Sequence, residues 1–303
     1  MSVSDILLEQ VVRLFADAQN GRRDDSDAFD AALWSKVDEL GLPLAMCPES
    51  SGGFELRWSE MFDVLAHSAA CGESVPLGDT LVANFLLCET GTEPAEGPVF
   101  LGSSSGSGTA RVLAEAGSSL ALVPSEAATC GGIANTMPGD NRATQVGALL
   151  RAIQIAGALQ GALDLAVRYA QERVQFGRPL SKQQAVQHML AQLAGEAVAT
   201  AAAARMACAK MDAGEGLVAV GIAKLRAGRA VEKGAMLAHQ IHGAIGVTME
   251  YPLARLSRNM WTWSEEFGGQ RYWAIEVGRT AVKAGSAWDT IIDASDPVGE
   301  TST

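Results

Sequence analysis

Apolar residues recur every three or four positions along most of this chain, which is the spacing of helices that bury one face. In the first third, the pattern predicts helices over 3–15, 27–40 and 58–71. The second half predicts five more, over 145–173, 181–212, 215–241, 252–265 and 267–287. The long alanine-rich segments among these are typical of neighbours in an antiparallel bundle. We therefore expect a mainly α protein.

A middle region interrupts the helical pattern. It is rich in Gly, Ser, Thr, Pro and Asn, and only short β-prone pieces remain, at 98–101, 109–113 and 119–124. These pieces indicate a small sheet or a linker. The predicted organisation is an N-terminal helical domain at 1–91, a reduced β-region at 92–144, a C-terminal helical bundle at 145–288 and a flexible polar tail at 289–303.

Composition narrows the class of partner. The 303 residues carry a net charge of −12, with a sequence pI near 4.8, which argues against binding to nucleic acid. The five cysteines are scattered, so neither a disulfide framework nor a metal site follows. The N-terminal residues predict an amphipathic helix rather than a signal peptide, and no apolar stretch stands out as a bilayer span. We expect a cytoplasmic protein without a membrane partner.

One short segment, RVQFGRPLSKQQ at 173–184, breaks the helical pattern with groups that suit an anionic ligand. A planar, always charged guanidinium at Arg173 can bind a pyrophosphate through two hydrogen bonds. Gly177 would set the turn, and Phe176 could cover an adenine or a ribose. Taken alone, a helix-capping Arg173 and a core Phe176 are the commoner outcome.

A second segment, QIHGAIG at 240–246, ends another long apolar helix and is followed by Glu250-Tyr251-Pro252. Glycines at a helix end are usually caps, so this spacing alone is a weak signal. His239 and His242 flank the turn. No acid or second metal ligand lies at a useful spacing from them, so we expect both histidines to have a structural role.

Together the two segments resemble the signatures R-x-Q-F-G-x-P and Q-x-x-G-G-x-G of the acyl-CoA dehydrogenase family, with Ala244 in place of the second glycine. The resemblance covers roughly 28–91 and 145–280. It implies an acyl-CoA dehydrogenase-like fold with an N-terminal helical domain, a reduced β middle region and a C-terminal four-helix-bundle domain. It also implies FAD as cofactor, contacted by Arg173, Gln175, Phe176, Gly177, Leu180, Gln183, Gln184, Gln240, Gly243 and Gly246.

The family's reaction needs a carboxylate that takes the α-proton while hydride leaves to the flavin. The resemblance places Phe267 at one family position for this base and Gly147-Ala148 at the other, and neither carries an acid. Glu266 is the nearest candidate for the catalytic base. A shift of one residue on a helix end, however, turns the side chain by about 100°.

A chain that keeps the dinucleotide segments but lacks the base resembles the smaller subunit of heteromeric bacterial acyl-CoA dehydrogenases of the steroid side-chain type. The resemblance implies that it donates ADP-side contacts to an FAD shared with a second acyl-CoA dehydrogenase subunit. Such pairs would form a heterodimer or an α2β2 heterotetramer and desaturate an acyl-CoA substrate. Two alternatives stay open: a self-sufficient homo-oligomer using Glu266, and a non-catalytic binding or scaffold protein of this fold.

Overall fold

The computed structural model describes residues 2–21, 29–72, 74–101, 111–116, 119–124 and 142–295, and the structural statements below concern these residues. The N-terminal part is helical, as the pattern predicts, with short 3₁₀ turns at Leu42–Leu44 and Glu49–Ser51. Its helices are α1 (Val3–Gly21), α2 (Ala31–Glu39), α3 (Trp58–Ala70) and α4 (Leu77–Glu89). The sequence did not mark α4 as a separate helix, because α4 is buried on nearly all sides and lacks a polar face.

The middle region contains a small three-stranded sheet. β1 (Val99–Phe100) pairs in parallel with β2 (Arg111–Ala116), which pairs antiparallel with β3 (Ser119–Pro124). The predicted β-prone pieces therefore fall on these strands, with the second beginning at 111. The first two residues of that piece, at 109 and 110, lie outside the described residues.

The C-terminal part is a helical bundle with a short hairpin between its first two helices. The hairpin consists of β4 (Val174–Gln175) and β5 (Arg178–Pro179) and is followed by a 3₁₀ turn at Leu180–Lys182. A second 3₁₀ turn spans Gly243–Val247. The helices are α5 (Arg142–Glu172), α6 (Gln184–Asp212), α7 (Gly216–His242), α8 (Pro252–Glu265), α9 (Gln270–Ala284) and α10 (Ala287–Ser295). The mainly α prediction is confirmed.

The polar stretch after residue 288 differs from the predicted flexible tail. It continues as α10 to Ser295 and buries Thr290 and Ala294. This helix packs against α9 and α7, and these contacts stabilise it. The rest of the predicted tail, 296–303, lies outside the described residues.

α5 is the central helix of the protein and contacts α3, α4, α6, α7 and α8. Contrary to the expectation from the sequence, its length and hydropathy would also suit a membrane span. In the structure, 89% of its most apolar window is buried inside the protein. We therefore describe α5 as a core helix.

The N-terminal helices and the bundle share one hydrophobic core. α3 packs directly on α5, and the absence of a side chain at Gly157 allows this close contact. A Cβ on Gly157 would be only 2.0 Å from the carbonyl oxygen of Ala66. The end of α6 also binds the start of α3. The carboxylate of Asp212 accepts hydrogen bonds from the backbone N–H groups of Trp58 and Ser59, at 2.8 and 3.0 Å.

Candidate functional site

The segment after α5 forms a hairpin whose tip is exposed. Phe176 stands at this tip with 90% of its surface exposed and a φ of 54°. Left-handed backbone costs a non-glycine residue about 1 to 2 kcal/mol. The exposed ring gains no packing within the described chain that would offset this cost. The backbone is fixed at the base of the hairpin, where the Leu180 N–H donates to the Arg173 carbonyl oxygen at 2.8 Å.

The other residues predicted to bind the cofactor in this segment differ in their exposure to solvent. Arg173, Gln175 and Gln184 are exposed, and Gln183 is half-buried at the start of α6. Leu180 is buried, in a turn that packs on α5 and α6. Its side chain therefore anchors the hairpin and is not available to a ligand.

The second segment forms a tight turn at the end of α7. Gly243 has a φ of 63° and a ψ of −142°, and both Gln240 and Gly243 are exposed. Gly246 is buried, and a Cβ on it would be 2.8 Å from the Cβ of His242. Gly246 therefore lets the turn pack closely, whereas Gly243 faces outward.

A small aromatic cluster brings the two segments to the same end of the bundle. The ring of Tyr169, one helical turn before Arg173, stacks on His242 with centroids 4.8 Å apart. Tyr251 completes the cluster, 5.0 Å from His242. His242 is buried, its Nδ1 lies 2.8 Å from the Ala238 carbonyl oxygen, and burial lowers its pKa. A neutral, packed imidazole agrees with the structural role that the sequence favoured.

The surface around these segments suits an anion. None of the salt bridges among the described residues includes Arg173, so its guanidinium is available. The space where a Cβ would stand is open at both Gly177 and Gly243. A ligand can therefore approach the backbone closely at both turns. A phosphate-containing group is the chemistry that a free guanidinium and open backbone favour.

Glu266, the candidate base, is buried within an ion pair. Its Oε2 accepts a hydrogen bond from Arg151 Nε at 2.6 Å, and Arg151 Nη1 also donates to Asp79 Oδ1 at 2.5 Å. Burial raises the pKa of Glu266, and the nearby Arg151 opposes that rise. This geometry fixes the carboxylate toward Arg151. Glu266 as base stays a prediction that the geometry does not favour.

Lys224 completes this group, which we call the internal ion cluster: Asp79, Arg151, Lys224 and Glu266. The ammonium group of Lys224 donates to the carbonyl oxygens of Trp263 and Ser264, at 2.5 and 2.9 Å. Burial lowers the pKa of Lys224 to about 7, against the attraction of Glu266. Sequence reasoning missed the cluster, although Arg151 and Lys224 each interrupt an apolar helical run and could have signalled it.

Phe267 and Gly147 are in contact inside the protein. They occupy the two positions that the resemblance assigns to the catalytic base. Phe267 is 1% exposed, and a Cβ on Gly147 would lie 2.4 Å from two atoms of its ring. The Arg151 guanidinium lies 5.6 Å from the centroid of the same ring. An apolar ring therefore fills this space.

Sequence comparison identifies the bundle. Residues 140–269 match the family model of the acyl-CoA dehydrogenase C-terminal domain. Glutaryl-CoA dehydrogenase from Desulfococcus multivorans is 44% identical over 106 residues, which are 34% of this chain and 27% of that protein. Acyl-CoA dehydrogenase IpdE2 from Mycolicibacterium smegmatis is 34% identical over 122 residues, 40% of this chain and 38% of that protein.

Solved structures share the fold over nearly the whole chain. A steroid ACAD variant of the Tcur3481-Tcur3483 pair has a TM-score of 0.73 and 22% identity, covering 93% of this chain and 98% of that one. The ChsE4-ChsE5 complex from Mycobacterium tuberculosis has a TM-score of 0.72 and 19% identity, with the same coverage of each chain. At such identities the likeness establishes the fold.

Fold and matched domain together define the class as a helical protein of acyl-CoA dehydrogenase architecture. The segments 173–184 and 240–246 both lie within the residues that match the acyl-CoA dehydrogenase C-terminal domain. The match spans 27 to 38% of the length of the first curated relatives.

Proposed function

We propose that this chain is one subunit of an FAD-dependent acyl-CoA dehydrogenase and donates ADP-side contacts to a flavin shared with a second acyl-CoA dehydrogenase subunit. The observation that carries the proposal is the outward-facing hairpin tip at Phe176, at the same end of the bundle as the open turn at Gly243. Both surfaces lack a covering element within the described chain, and a neighbouring subunit would supply it. Two of the similar structures are named as two-protein pairs, which also supports a partner.

In this proposal, each residue of the two segments would contact a different part of the dinucleotide. Arg173 would bind the pyrophosphate through two hydrogen bonds, and Phe176 would cover the adenine or its ribose. Gln240 would donate or accept a hydrogen bond at the same end, while Gly243 allows close backbone approach. When bound, FAD accepts the hydride that leaves the β-carbon of the acyl group. This chain's part is to bind and orient the cofactor.

The carboxylate that takes the α-proton would come from the partner subunit. Phe267 fills the space beside Gly147, and Glu266 is held inside the internal ion cluster. A base must lie within hydrogen-bond reach of its proton, and neither family position offers one in this chain. We propose an acyl-CoA thioester as substrate, desaturated between the α- and β-carbons in the cytoplasm. The steroid ACAD among the similar structures favours a steroid-derived acyl group.

The test is flavin retention in a reconstituted complex. The chain is co-expressed with a second acyl-CoA dehydrogenase subunit, and FAD is quantified by its visible absorbance and by titration. Replacing Arg173 by Ala removes its contact with the pyrophosphate. One charged hydrogen bond contributes roughly 1.5 to 3 kcal/mol, so FAD should bind at least about 10- to 100-fold more weakly.

Arg178→Ala is the matched control, because Arg178 lies exposed on the opposite strand of the same hairpin. It should retain FAD like the unmodified complex. Equal retention by both variants would contradict the role of Arg173. A colourless complex with every acyl-CoA dehydrogenase partner, even after added FAD, would instead support the non-catalytic scaffold.

A further inference from the structure

A groove of about 1010 Å³ lies between α3 and α6, with α5 as its floor. The floor is a stripe of α5 side chains that runs from Gly157 to Arg168. The twelve residues of this stripe span eleven steps of 1.5 Å, so it is about 16 Å long. α1 contributes Leu8 and Val12 to one side of the groove. The groove is therefore long and narrow.

Small apolar residues form the walls of the groove. α3 contributes Ala66 and Ala70, and α6 contributes Ala197 and Ala201. One end is closed by an ion pair between Asp63 and Arg205, whose guanidinium also lies 4.0 Å from the ring centroid of Phe62. These surfaces favour an apolar ligand body.

The charged groups near the groove are largely engaged with one another. Arg205 pairs with Asp63, and the Asp164 carboxylate accepts a hydrogen bond from Gln160 Nε2 at 2.9 Å. At the far end, the positive Arg168 and Arg255 are accompanied by the negative Glu250 and by Asp164. A charged ligand would find no surplus of opposite charge to offset its desolvation.

Two polar side chains from the C-terminal end of α3, His67 and Cys71, also line the groove, and both are neutral at physiological pH. His67 Nε2 and Cys71 Sγ lie 3.7 Å apart. Burial lowers the pKa of His67 and raises the pKa of Cys71 to about 11. The imidazole and the thiol can therefore exchange hydrogen bonds with a hydroxyl or carbonyl oxygen, and they add no net charge to the groove.

We infer that this groove binds a neutral, elongated, apolar small molecule that carries one hydroxyl or ketone group. The apolar body lies along α5, and the polar group lies beside His67. The volume is ample for a lipid-sized molecule, since ligand pockets span about 300 to 1,000 Å³. This inference uses residues other than those proposed for FAD and does not depend on the proposed function.

The experiment uses the full chain and Nile red, a neutral apolar dye with a carbonyl group, followed by fluorescence. Saturable binding is expected. Ala201→Phe places a ring in the groove and should weaken binding by at least about tenfold. Ala199→Phe is the matched control, because Ala199 is exposed and points about 200° away on the same helix. It should leave the affinity unchanged.

A competition series tests the chemical class. Decanol should displace the dye from the unmodified chain at a concentration at least about tenfold below that of decanoate or decylammonium. Equal binding by the Ala201 and Ala199 variants would overturn the site, and equal displacement by the charged competitors would overturn its neutrality. If the Ala201 variant does not fold by circular dichroism, Ala202→Phe at the exposed rim replaces it with the same expected result.

Discussion

At the residue scale, Lys224 is the most enclosed charged side chain in the described part of the chain, with 1% of its surface exposed. An ammonium group out of water is costly unless it is paired and hydrogen-bonded. Lys224 meets this condition only in part, through two carbonyl oxygens and the nearby charge of Glu266. Its burial should therefore make the stability of the protein depend on pH.

The sign follows from the two pKa values of Lys224. The folded-state pKa is lowered to about 7, whereas an unfolded lysine titrates near 10.4. Between these values the unfolded chain binds a proton that the folded chain does not, so this residue's contribution raises the free energy of unfolding as pH increases. Lys224→Met removes the titration. The stability of the unmodified chain relative to the variant should therefore rise from pH 7 to pH 9, by up to about 1.4 kcal/mol per unit.

Urea unfolding at several pH values measures this difference. Lys283→Met, at an exposed position of α9, should give a difference that does not change with pH. A difference between the unmodified chain and Lys224→Met that stays constant across this range would show that Lys224 remains charged in the folded protein.

At the element scale, α3 begins with help from another helix. Its N-cap, Arg57, forms no side-chain capping bond to the helix backbone, while Asp212 at the end of α6 accepts from the first two N–H groups. A carboxylate at a helix N-terminus satisfies unpaired donors and meets the positive end of the helix dipole. Asp212 therefore links the N-terminal helices to the bundle.

Asp212→Ala should lower the free energy of unfolding by about 1 to 2 kcal/mol, because it leaves two backbone donors without this acceptor. The measurement is urea unfolding at neutral pH. Asp289→Ala, at an exposed position in the first turn of α10, is the comparison and should cost less. Equal stability of the Asp212 variant and the unmodified chain would show that water caps α3 as well as Asp212 does.

At the scale of the whole molecule, the proposed function assigns the catalytic base to the partner subunit. Glu266→Gln keeps the shape of the side chain but removes its charge beside Arg151, which retains Asp79. We expect a stability loss of roughly 1 to 3 kcal/mol and turnover within about twofold of the unmodified complex.

Steady-state oxidation of an acyl-CoA by the reconstituted complex checks this expectation, with Glu265→Gln as the exposed neighbouring control. General-base catalysis contributes about 10²- to 10⁴-fold. A fall of that size in kcat for Glu266→Gln alone would identify Glu266 as the base and support the self-sufficient enzyme.

The sequence predicts the elements better than it predicts the environment of single residues. α8 matches its predicted range, 252–265, because Pro252 marks its start and its polar and apolar faces are distinct. The burial of Leu180 and Gly246 depends on how distant helices pack, which local spacing does not encode. The internal ion cluster joins residues 72 and 115 positions apart, so periodicity could not reveal it.

The contact between Phe267 and Gly147 also limits which substitutions could place a carboxylate at either position. An acid introduced at 147 would collide with the ring, because even its first side-chain atom has no room. An acid introduced at 267 would replace the ring and leave a cavity. Truncating a buried aromatic residue typically costs about 3 to 5 kcal/mol, a large part of the roughly 5 to 15 kcal/mol that stabilises a native protein. A carboxylate at either position would thus need a second, compensating substitution at the other, so no single mutation would give this chain a base at either place.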